Sequence, residues 1–363
     1  MLWTIKNRPK ALKDVFGNDL IKQYFYRAEE FPKAILLEGL FGSGKTTCAK
    51  IIAQMILCTG KKSEKEDACC ECPSCKSIID ETWNMDCKMI DSGTDGKIDA
   101  IRNIVVPFIS KPSLRGNHRK VIIIEEVQEM SKDAINALLK ILEKPLDDVY
   151  FIFTSMQEMP ESGFKSRCVS FSFEAASEHD IVNGLTKVLD DNGYLTDEKN
   201  SDYWKPLLSV IASSCNGSYR QAIQLLQQLI EAGCEDKDTA VRLLKLVDKT
   251  TLYQFLDDLL NKRATKNVKF MLSKSCDHRT FFDNVFKIVL DACAYAAFGT
   301  TFNVPTREEL AQIKKLVING SLLIKLKNDL VEVSKSWNTK LDYNKNNVVA
   351  TFMGYLLDER DSK

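Results

Sequence analysis

The 363-residue chain is long enough for two or three domains, and with 44% hydrophobic and 28% charged residues it has the balance of a globular protein. Its 50 Lys and Arg residues equal its 50 Asp and Glu residues, which excludes a global attraction to nucleic acid and leaves only local basic patches. No apolar run is long enough to cross a membrane and the first residues lack a signal-peptide core, so we expect a cytoplasmic protein without a membrane partner, whose 12 cysteines are thiols or metal ligands.

Strand and helix patterns alternate in the first half of the sequence. Four short apolar runs are predicted to be strands: 34–39, 87–93, 120–126 and 149–155. Apolar residues with helical spacing lie between them, as at 44–57 and 131–143. This alternation predicts an α/β fold with a mostly parallel sheet. From about residue 177 onward only helical patterns remain, so we predict three domains: an α/β domain over 1–174, a small helical domain over 175–240 and a C-terminal helical domain over 241–363.

The segment EGLFGSGKTT, residues 38–47, has the pattern Gly-x-x-x-x-Gly-Lys-Thr between a predicted strand and a predicted helix. Its glycines allow backbone N–H groups to converge on phosphate oxygens at the helix N-terminus. Lys45 is predicted to contact the β- and γ-phosphates, and the Thr46 hydroxyl to bind Mg²⁺. We therefore predict a site for ATP and Mg²⁺ whose phosphate-binding residues are Gly39, Gly42, Ser43, Gly44, Lys45, Thr46 and Thr47.

The segment VIIIEE, residues 121–126, runs from a predicted strand directly into two adjacent carboxylates. In phosphate-loop proteins a second strand delivers a carboxylate to the metal, and its neighbour can polarise the attacking water. On this interpretation Glu125 assists Mg²⁺ through a coordinated water, and Glu126 is the general base. Asp is more usual at the first of these positions, so Glu125 bears on the rate of hydrolysis more than on nucleotide binding. The alternative is that both carboxylates are only the solvated end of a buried strand.

Four further segments carry the motifs of one family. They are NRPKALKDVFGND, GNHRKVIIIEEVQEMSKDAINALLKILEKP, KSRCVSF and NGSYRQAIQLLQQ. Together they resemble the clamp-loader AAA+ ATPases, and over residues 1–230 they are most similar to the bacterial gamma/tau subunits. The resemblance implies a P-loop AAA+ domain with a parallel sheet, followed by a helical lid domain and an all-helical collar domain for oligomerisation. No long C-terminal tail follows, so the resemblance favours the short, gamma-like form.

The resemblance also implies roles for individual residues. Arg167, in Ser-Arg-Cys, would be an arginine finger acting in trans on the ATP of a neighbouring subunit, because a guanidinium spreads positive charge over several phosphoryl oxygens. Arg220 would be the lid residue that contacts the γ-phosphate, and either Thr154 or Ser155 would sense the γ-phosphate or water. The alternative for both arginines is an exposed surface charge. The segment that holds the base and ribose, whose Val and Phe are alternatively core residues, contributes Arg8, Pro9, Val15, Phe16 and Gly17.

Four cysteines have the spacing Cys58-x₁₀-Cys69-x₂-Cys72-x₂-Cys75, which supplies enough thiolates for a closed tetrahedral zinc site. In a reducing compartment such a run favours metal binding over disulfides. It resembles the small zinc module, here about 58–75, that the gamma/tau subunits carry at this position. Cys70 is an alternative to Cys69 as a ligand. Because four thiolates leave no open coordination position, we expect the zinc to be structural.

The segment 92–116 follows the cysteines, and in the resembling family the corresponding helix lies along DNA inside an assembled spiral. Four basic residues are candidates for DNA contacts, with a solvated helix face as the alternative for each: Lys97, Arg102, Lys111 and Arg115. Its apolar residues either contact a sliding clamp or belong to the core: Ile101, Ile104, Val105 and Phe108.

The resemblance therefore predicts an ATP-hydrolysing subunit of a replication clamp loader, with ATP, Mg²⁺ and structural Zn²⁺ as its cofactors. Its partners would be other clamp-loader subunits or copies of itself in a pentameric assembly, a sliding clamp and primer–template DNA. The expected location is the cytoplasm at the nucleoid, or the host cytoplasm for a viral protein. One alternative is a nucleotide-binding but weakly hydrolysing structural subunit of the same assembly. Another is a different AAA+ DNA motor such as a branch-migration helicase, against which the zinc cysteines and Ser-Arg-Cys argue.

Overall fold

The computed structural model describes the chain at residues 2–60, 66–82, 84–96, 98–113, 118–144, 146–159, 163–195, 198–234, 239–240, 243–244, 249–261, 278–302, 305 and 307–338. The chain divides into two compact units, Met1–Gln228 and Leu229–Lys363. The first unit contains the predicted α/β domain and most of the predicted lid, while the division into three domains stays a prediction. None of the helices among the described residues has both the length and the apolarity needed to span a bilayer.

A five-stranded parallel sheet forms the centre of the first unit. Its strands lie in the order β2-β3-β4-β1-β5, and their bounds are β1 Ala34–Gly39, β2 Cys87–Asp91, β3 Lys120–Glu125, β4 Val149–Ser155 and β5 Val169–Phe173. The three central strands are buried almost throughout, as expected for a parallel sheet covered by helices on both faces. The predicted fold class is therefore confirmed, although β5 was not predicted, because Ser170 and Ser172 interrupt its apolar run.

Alternate strand residues enter two separate cores. Ile35, Leu37 and Ile123 face one core, which they share with the long helix that begins at Lys45. Their neighbours Leu36, Ile122, Ile124 and Phe153 face the other core, on the opposite side of the sheet. The sheet, covered by helices on both faces, holds the carboxyl ends of β1, β3 and β4 side by side at the C-terminal end of the sheet.

The described helices that begin in the first unit are Trp3–Lys6, Asp19–Arg27, Lys45–Leu57, Pro73–Ile79, Ser92–Asp95, Ile98–Ala100, Val106–Ser110, Lys132–Leu142, Glu178–Asp191, Glu198–Ser214 and Tyr219–Glu231, the last of which ends three residues beyond Gln228. Short 3₁₀ turns occur at Leu12–Asp14, Val127–Glu129 and Lys165–Arg167. Two helices begin with serine caps: the Ser131 hydroxyl accepts from the Ala134 N–H, and the Ser177 hydroxyl accepts from the Asp180 N–H.

A widened π turn, Ile101–Val105, interrupts the helical stretch between residues 98 and 110. Pro107 lies two residues beyond it. A proline has no backbone N–H and its ring clashes with the carbonyl four residues earlier in an α-helix. The wider turn removes that clash, which is how this stretch continues through a proline.

The second unit contains helices and its own apolar core. The described helices are Lys249–Leu260, His278–Phe298, Arg307–Val317 and Gly320–Asn338. Phe255, Phe281 and Phe282 are each at most 1% exposed in that core, and the rings of Phe255 and Phe281 meet edge to face at 5.1 Å. Within the described residues this agrees with the predicted all-helical C-terminal region.

Candidate nucleotide site and cysteine cluster

The phosphate loop, residues 39–47, leaves β1 and enters the helix Lys45–Leu57. Gly39 has φ +148°, and a Cβ there would lie 2.4 Å from the Phe173 carbonyl oxygen on β5. Gly42 has φ +76°, and its Cβ would lie 2.1 Å from the Ser218 hydroxyl. Both positions therefore need glycine, the first because of the neighbouring strand and the second because of the helical region after the sheet.

Gly39→Ala should destabilise the first unit by about 3 kcal/mol, because the methyl group meets a backbone carbonyl that cannot move without distorting β5. Gly193→Ala is the matched control: Gly193 has φ +76° but faces open space, so only the backbone strain of about 1 kcal/mol applies. Urea unfolding of the two variants measures the difference. Equal losses would show that the close approach of β5 does not matter.

Three features of the phosphate loop fit a phosphate chain. The Ser43 side chain is 4% exposed, and its hydroxyl has no hydrogen-bond partner among the described residues. A Cβ on Gly44 would meet no atom within 4 Å. Thr46 and Thr47 follow in the first turn of the helix, where unpaired backbone N–H groups favour anions.

The Lys45 ammonium lies over the start of this loop. Its Nζ donates to the carbonyl oxygens of Gly39 at 2.8 Å and Leu40 at 2.6 Å. Burial lowers the pKa of Lys45 to about 8, and the negative charge of Glu126 opposes that shift. Lys45 is therefore a cation at neutral pH, within electrostatic range of Glu126.

Glu126 lies directly after β3 in a left-handed conformation, with φ +53°. A non-glycine residue there is strained, and such residues cluster at functional sites. Its backbone N–H donates to the Thr154 hydroxyl at 3.2 Å. Thr154 is 2% exposed at the end of β4, the strand between β1 and β3. The sheet order thus brings Lys45, Glu126 and Thr154 to one place.

Ser155, the other sensor candidate, closes the turn after β4. Its hydroxyl donates to the Gln157 carbonyl at 2.6 Å and accepts from the Gln157 N–H at 3.2 Å. The O–H donor of Ser155 is therefore used within its own turn, so the geometry favours Thr154 as the sensor.

Glu125 is half-buried and pairs in register with Asp91 on β2. Burial raises the pKa of the Glu125 carboxyl, Lys50 lowers it and Asp91 raises it again. Two neighbouring carboxylates at the end of two strands suit a divalent cation. Sequence reasoning missed Asp91 and Lys50, because only the sheet order and the helix face bring them to Glu125.

Arg220, on the helix Tyr219–Glu231, lies against the phosphate loop. Its guanidinium carbon is 5.5 Å from the centroid of the Phe41 ring, and its Cβ would be 3.5 Å from a Cβ on Gly42. The structure thus places Arg220 beside the phosphates' predicted position. The signal for Phe41 and Ser218 lies in the family motifs around them, not in their residue types.

The N-terminal segment has mixed positions. Val15 is 7% exposed in the core, so the core alternative is correct for its side chain. Phe16 is half-buried, with its ring 5.9 Å from that of Tyr219. Gly17 follows with φ +68°, Pro9 is half-buried, and Arg8 donates to the Glu81 carboxylate at 2.8 Å.

Arg167 lies at the end of the sheet where the strands begin, in the turn before β5. Its Nη2 contacts a Glu143 carboxylate oxygen at 2.7 Å, and its Nη1 donates to the Gly163 carbonyl. The five residues of β5, about 16 Å of extended chain, separate it from the end of the strand beside Gly39. Arg167 is therefore remote from the phosphate loop of its own chain.

The four predicted cysteines converge. The sulfur atoms of Cys58, Cys69, Cys72 and Cys75 all lie within 4.8 Å of one another, and thiolates around one tetrahedral zinc would be about 3.8 Å apart. The Cys69 N–H donates to Cys58 Sγ and the Cys72 N–H to Cys69 Sγ, each at 3.3 Å. Burial opposes ionisation of Cys72, but hydrogen bonds from Cys75 and Thr59 lower the pKa of its thiol. The cluster can therefore hold a metal ion.

Cys70 points away from this cluster. Its backbone has φ +58°, and its thiol contacts the Lys10 carbonyl at 3.4 Å. Cys69 is therefore the member of the pair that belongs to the cluster. Cys87 lies on β2, as expected for a strand residue.

The segment predicted to contact DNA and a clamp is only partly described. Lys97 and Arg115 lie outside the described residues, whereas Arg102 and Lys111 are exposed. Ile101 and Val105 are buried in the core, so the core alternative holds for them. Ile104 and Phe108 are only partly buried against that core, and their role stays a prediction.

A phosphate loop after β1, two adjacent carboxylates at the end of β3 and the buried Thr154 hydroxyl on the intervening strand define a P-loop nucleotide-binding protein of the AAA+ class. A family model described as DNA polymerase III, delta subunit matches residues 18–177. The chain is 33% identical to the DNA polymerase III subunit tau of Bacillus subtilis, over 61% of this chain and 38% of that subunit.

It is 30% identical to the DNA polymerase III subunit gamma of Buchnera aphidicola subsp. Acyrthosiphon pisum, over 74% of this chain and 73% of that subunit. The chain belongs to the DNA polymerase III gamma/tau subunit family, which confirms the resemblance, although it spans less than two fifths of the Bacillus relative. Among solved structures, the Holliday junction branch migration motor RuvB of Thermotoga maritima covers 86% of this chain and 91% of its own length at 14% identity, with a TM-score of 0.45.

Proposed function

We propose that this chain is an ATP-hydrolysing subunit of a clamp loader, which opens a sliding clamp and loads it on primer–template DNA. The observation that carries the proposal is the convergence of Lys45, Glu126 and Thr154 at the carboxyl edge of the sheet. Membership of the gamma/tau family supports it. The work on DNA would place the protein in the cytoplasm.

In this mechanism Lys45 leaves the carbonyls of Gly39 and Leu40 and binds the β- and γ-phosphates. Mg²⁺ held by Thr46, and through water by Glu125, would neutralise charge on the phosphate oxygens. Glu126 accepts a proton from water as the water oxygen attacks the γ-phosphorus. The bond between that phosphorus and the bridging oxygen then breaks, leaving ADP and phosphate.

Thr154 and Arg220 position these groups. The Thr154 hydroxyl holds the backbone of Glu126, and it would orient the attacking water with its remaining hydrogen-bonding capacity. Arg220 would contact the γ-phosphate from above the phosphate loop. Arg8, Pro9, Phe16 and Gly17 would hold the base and ribose.

Arg167 would complete the site of a neighbouring subunit, because the phosphate loop of the same chain lies at the C-terminal end of the sheet and Arg167 lies at the N-terminal end. The neighbour is another clamp-loader subunit or a copy of this chain, in a pentameric assembly. Arg102 and Lys111 are the described candidates for contacts with the DNA backbone.

A direct test compares ATP hydrolysis by the chain, with its partner subunits, in the presence and absence of primer–template DNA and sliding clamp. Stimulation by both ligands together is expected. A second candidate, a weakly hydrolysing structural subunit, rests on Glu125 in place of the usual Asp, and it would bind ATP without stimulated hydrolysis. Failure to bind ATP would reject both.

The cysteine cluster would hold structural zinc, since four thiolates suit Zn²⁺ and leave no open position. Purified protein should contain about one zinc per chain, and Cys72→Ser should lose it and lower the free energy of unfolding by several kcal/mol. Cys70→Ser is the matched control and should keep its metal, because Cys70 points to Lys10. Metal analysis and urea unfolding decide the matter, and a fully stable wild type without metal would contradict it.

A further inference from the structure

Lys50 is a buried cation that the mechanism above does not use. Its side chain is 8% exposed, and it lies four residues after Thr46 on the same face of the helix Lys45–Leu57. A buried ammonium needs a partner, because leaving it unpaired is costly. Burial raises the pKa of Glu125, the proposed metal-side carboxylate, and the charge of Lys50 opposes that shift.

Glu81 is the partner. One carboxylate oxygen, Oε1, contacts both Lys50 Nζ, at 2.5 Å, and Arg8 Nη1, at 2.8 Å. Glu81 therefore joins the helix of the phosphate loop to the N-terminal segment proposed to hold the base and ribose. Its backbone has φ +54°, the left-handed conformation that commonly ends a helix at the residue after the C-cap, here Asp80.

A short helix also connects Glu81 to the cysteine cluster. The helix Pro73–Ile79 starts directly after Cys72, contains Cys75 and ends two residues before Glu81. The turn beyond it is tied back, because the Asn84 amide donates to the Ser77 hydroxyl at 2.7 Å. A metal ion bound by Cys72 and Cys75 would therefore fix the first turn of the helix Pro73–Ile79, and Glu81 lies just beyond the last turn of the same helix.

From this geometry we infer that Glu81 is a positioning residue through which the metal-bound cysteine cluster holds the nucleotide site in shape. The inference rests on the proposed nucleotide function. It gives the cysteine cluster a purpose beyond local stability: metal and nucleotide bind cooperatively, because both need the same placement of Lys50 and Arg8.

The test measures ADP affinity without magnesium, in wild type and Glu81→Gln, before and after zinc is removed with a chelator. Glu81→Gln should keep the metal content of wild type and bind ADP about tenfold more weakly, within the usual range of coupling between two sites. Zinc removal should weaken ADP binding to wild type by a similar factor and change Glu81→Gln by less than twofold. Glu71→Gln, an exposed charge within the cysteine segment, is the matched control and should behave as wild type.

Because Glu81→Gln leaves Lys50 buried without its ion-pair partner, the same measurements are made on Glu81→Gln combined with Lys50→Met, which removes that buried charge. It should show the same weak ADP binding and the same indifference to zinc removal. Equal ADP affinity in wild type and the Glu81 variants, or zinc removal that weakens all of them alike, would overturn the inference. A wild type that binds no nucleotide would instead overturn the proposed function.

Discussion

Glu126→Gln should bind ATP as tightly as wild type and hydrolyse it 10²- to 10⁴-fold more slowly, because removal of a general base typically costs about 3–5 kcal/mol in the barrier. The amide keeps the shape of the side chain and loses the charge that accepts the proton. The backbone bond to Thr154 does not depend on the side chain, so the strained turn after β3 should persist. Single-turnover hydrolysis and equilibrium ATP binding, measured with clamp and DNA present, separate the two effects.

Glu129→Gln is the matched control, since Glu129 is exposed in the next turn and its loss should leave hydrolysis unchanged. Glu125→Asp makes the complementary comparison, because it restores the more usual metal-side residue and hydrolysis should stay level or rise. If Glu126→Gln hydrolyses ATP at the wild-type rate, the two carboxylates are only the solvated end of a buried strand.

Lys45→Ala should bind ATP about 10²- to 10⁴-fold more weakly and remain folded. Two charge-assisted hydrogen bonds to phosphate are lost, at about 1.5–3 kcal/mol each. Alanine is the best helix former and Lys45 is the first residue of its helix, so the fold should tolerate it. Titration calorimetry measures the affinity, and thermal unfolding checks the fold.

The control for Lys45→Ala is Lys33→Ala. The Lys33 ammonium also donates to a backbone carbonyl, that of Asp147. It lies just before the N-terminus of β1, at the end of the strand opposite the phosphate loop. Its loss should leave ATP affinity unchanged. Wild-type affinity in Lys45→Ala would show that the phosphate loop does not hold the phosphates through this ammonium.

Local patterns were enough to predict much of the candidate site. The phosphate loop and the two carboxylates each lie in a few consecutive residues beside a strong apolar run, where strand and helix signals are least ambiguous. The choice between Cys69 and Cys70 needed the backbone, because only a left-handed φ at Cys70 turns its thiol away. Thr154 and Ser155 likewise separated only once the turn after β4 was known.

The network from Cys75 through Glu81 to Lys50 and Arg8 was not predictable, since it joins residues far apart in sequence whose charges look like ordinary surface charges. The apolar face at Ile101 and Val105 has the same difficulty. A helical stripe of apolar residues looks alike whether it faces a partner or the core, and only burial decides.

Arg167 precedes β5, at the end of the sheet opposite the phosphate loop, so the two ends of the subunit are not equivalent. If the finger of one copy completes the site of the next, contacts between copies are head-to-tail, and a row of subunits that does not close has one fewer complete site than it has members. One terminal subunit then binds ATP without a donated arginine. A single chain with a damaged Arg167 would silence its neighbour's site and leave its own intact, so mixed assemblies should lose activity in proportion to the number of damaged junctions.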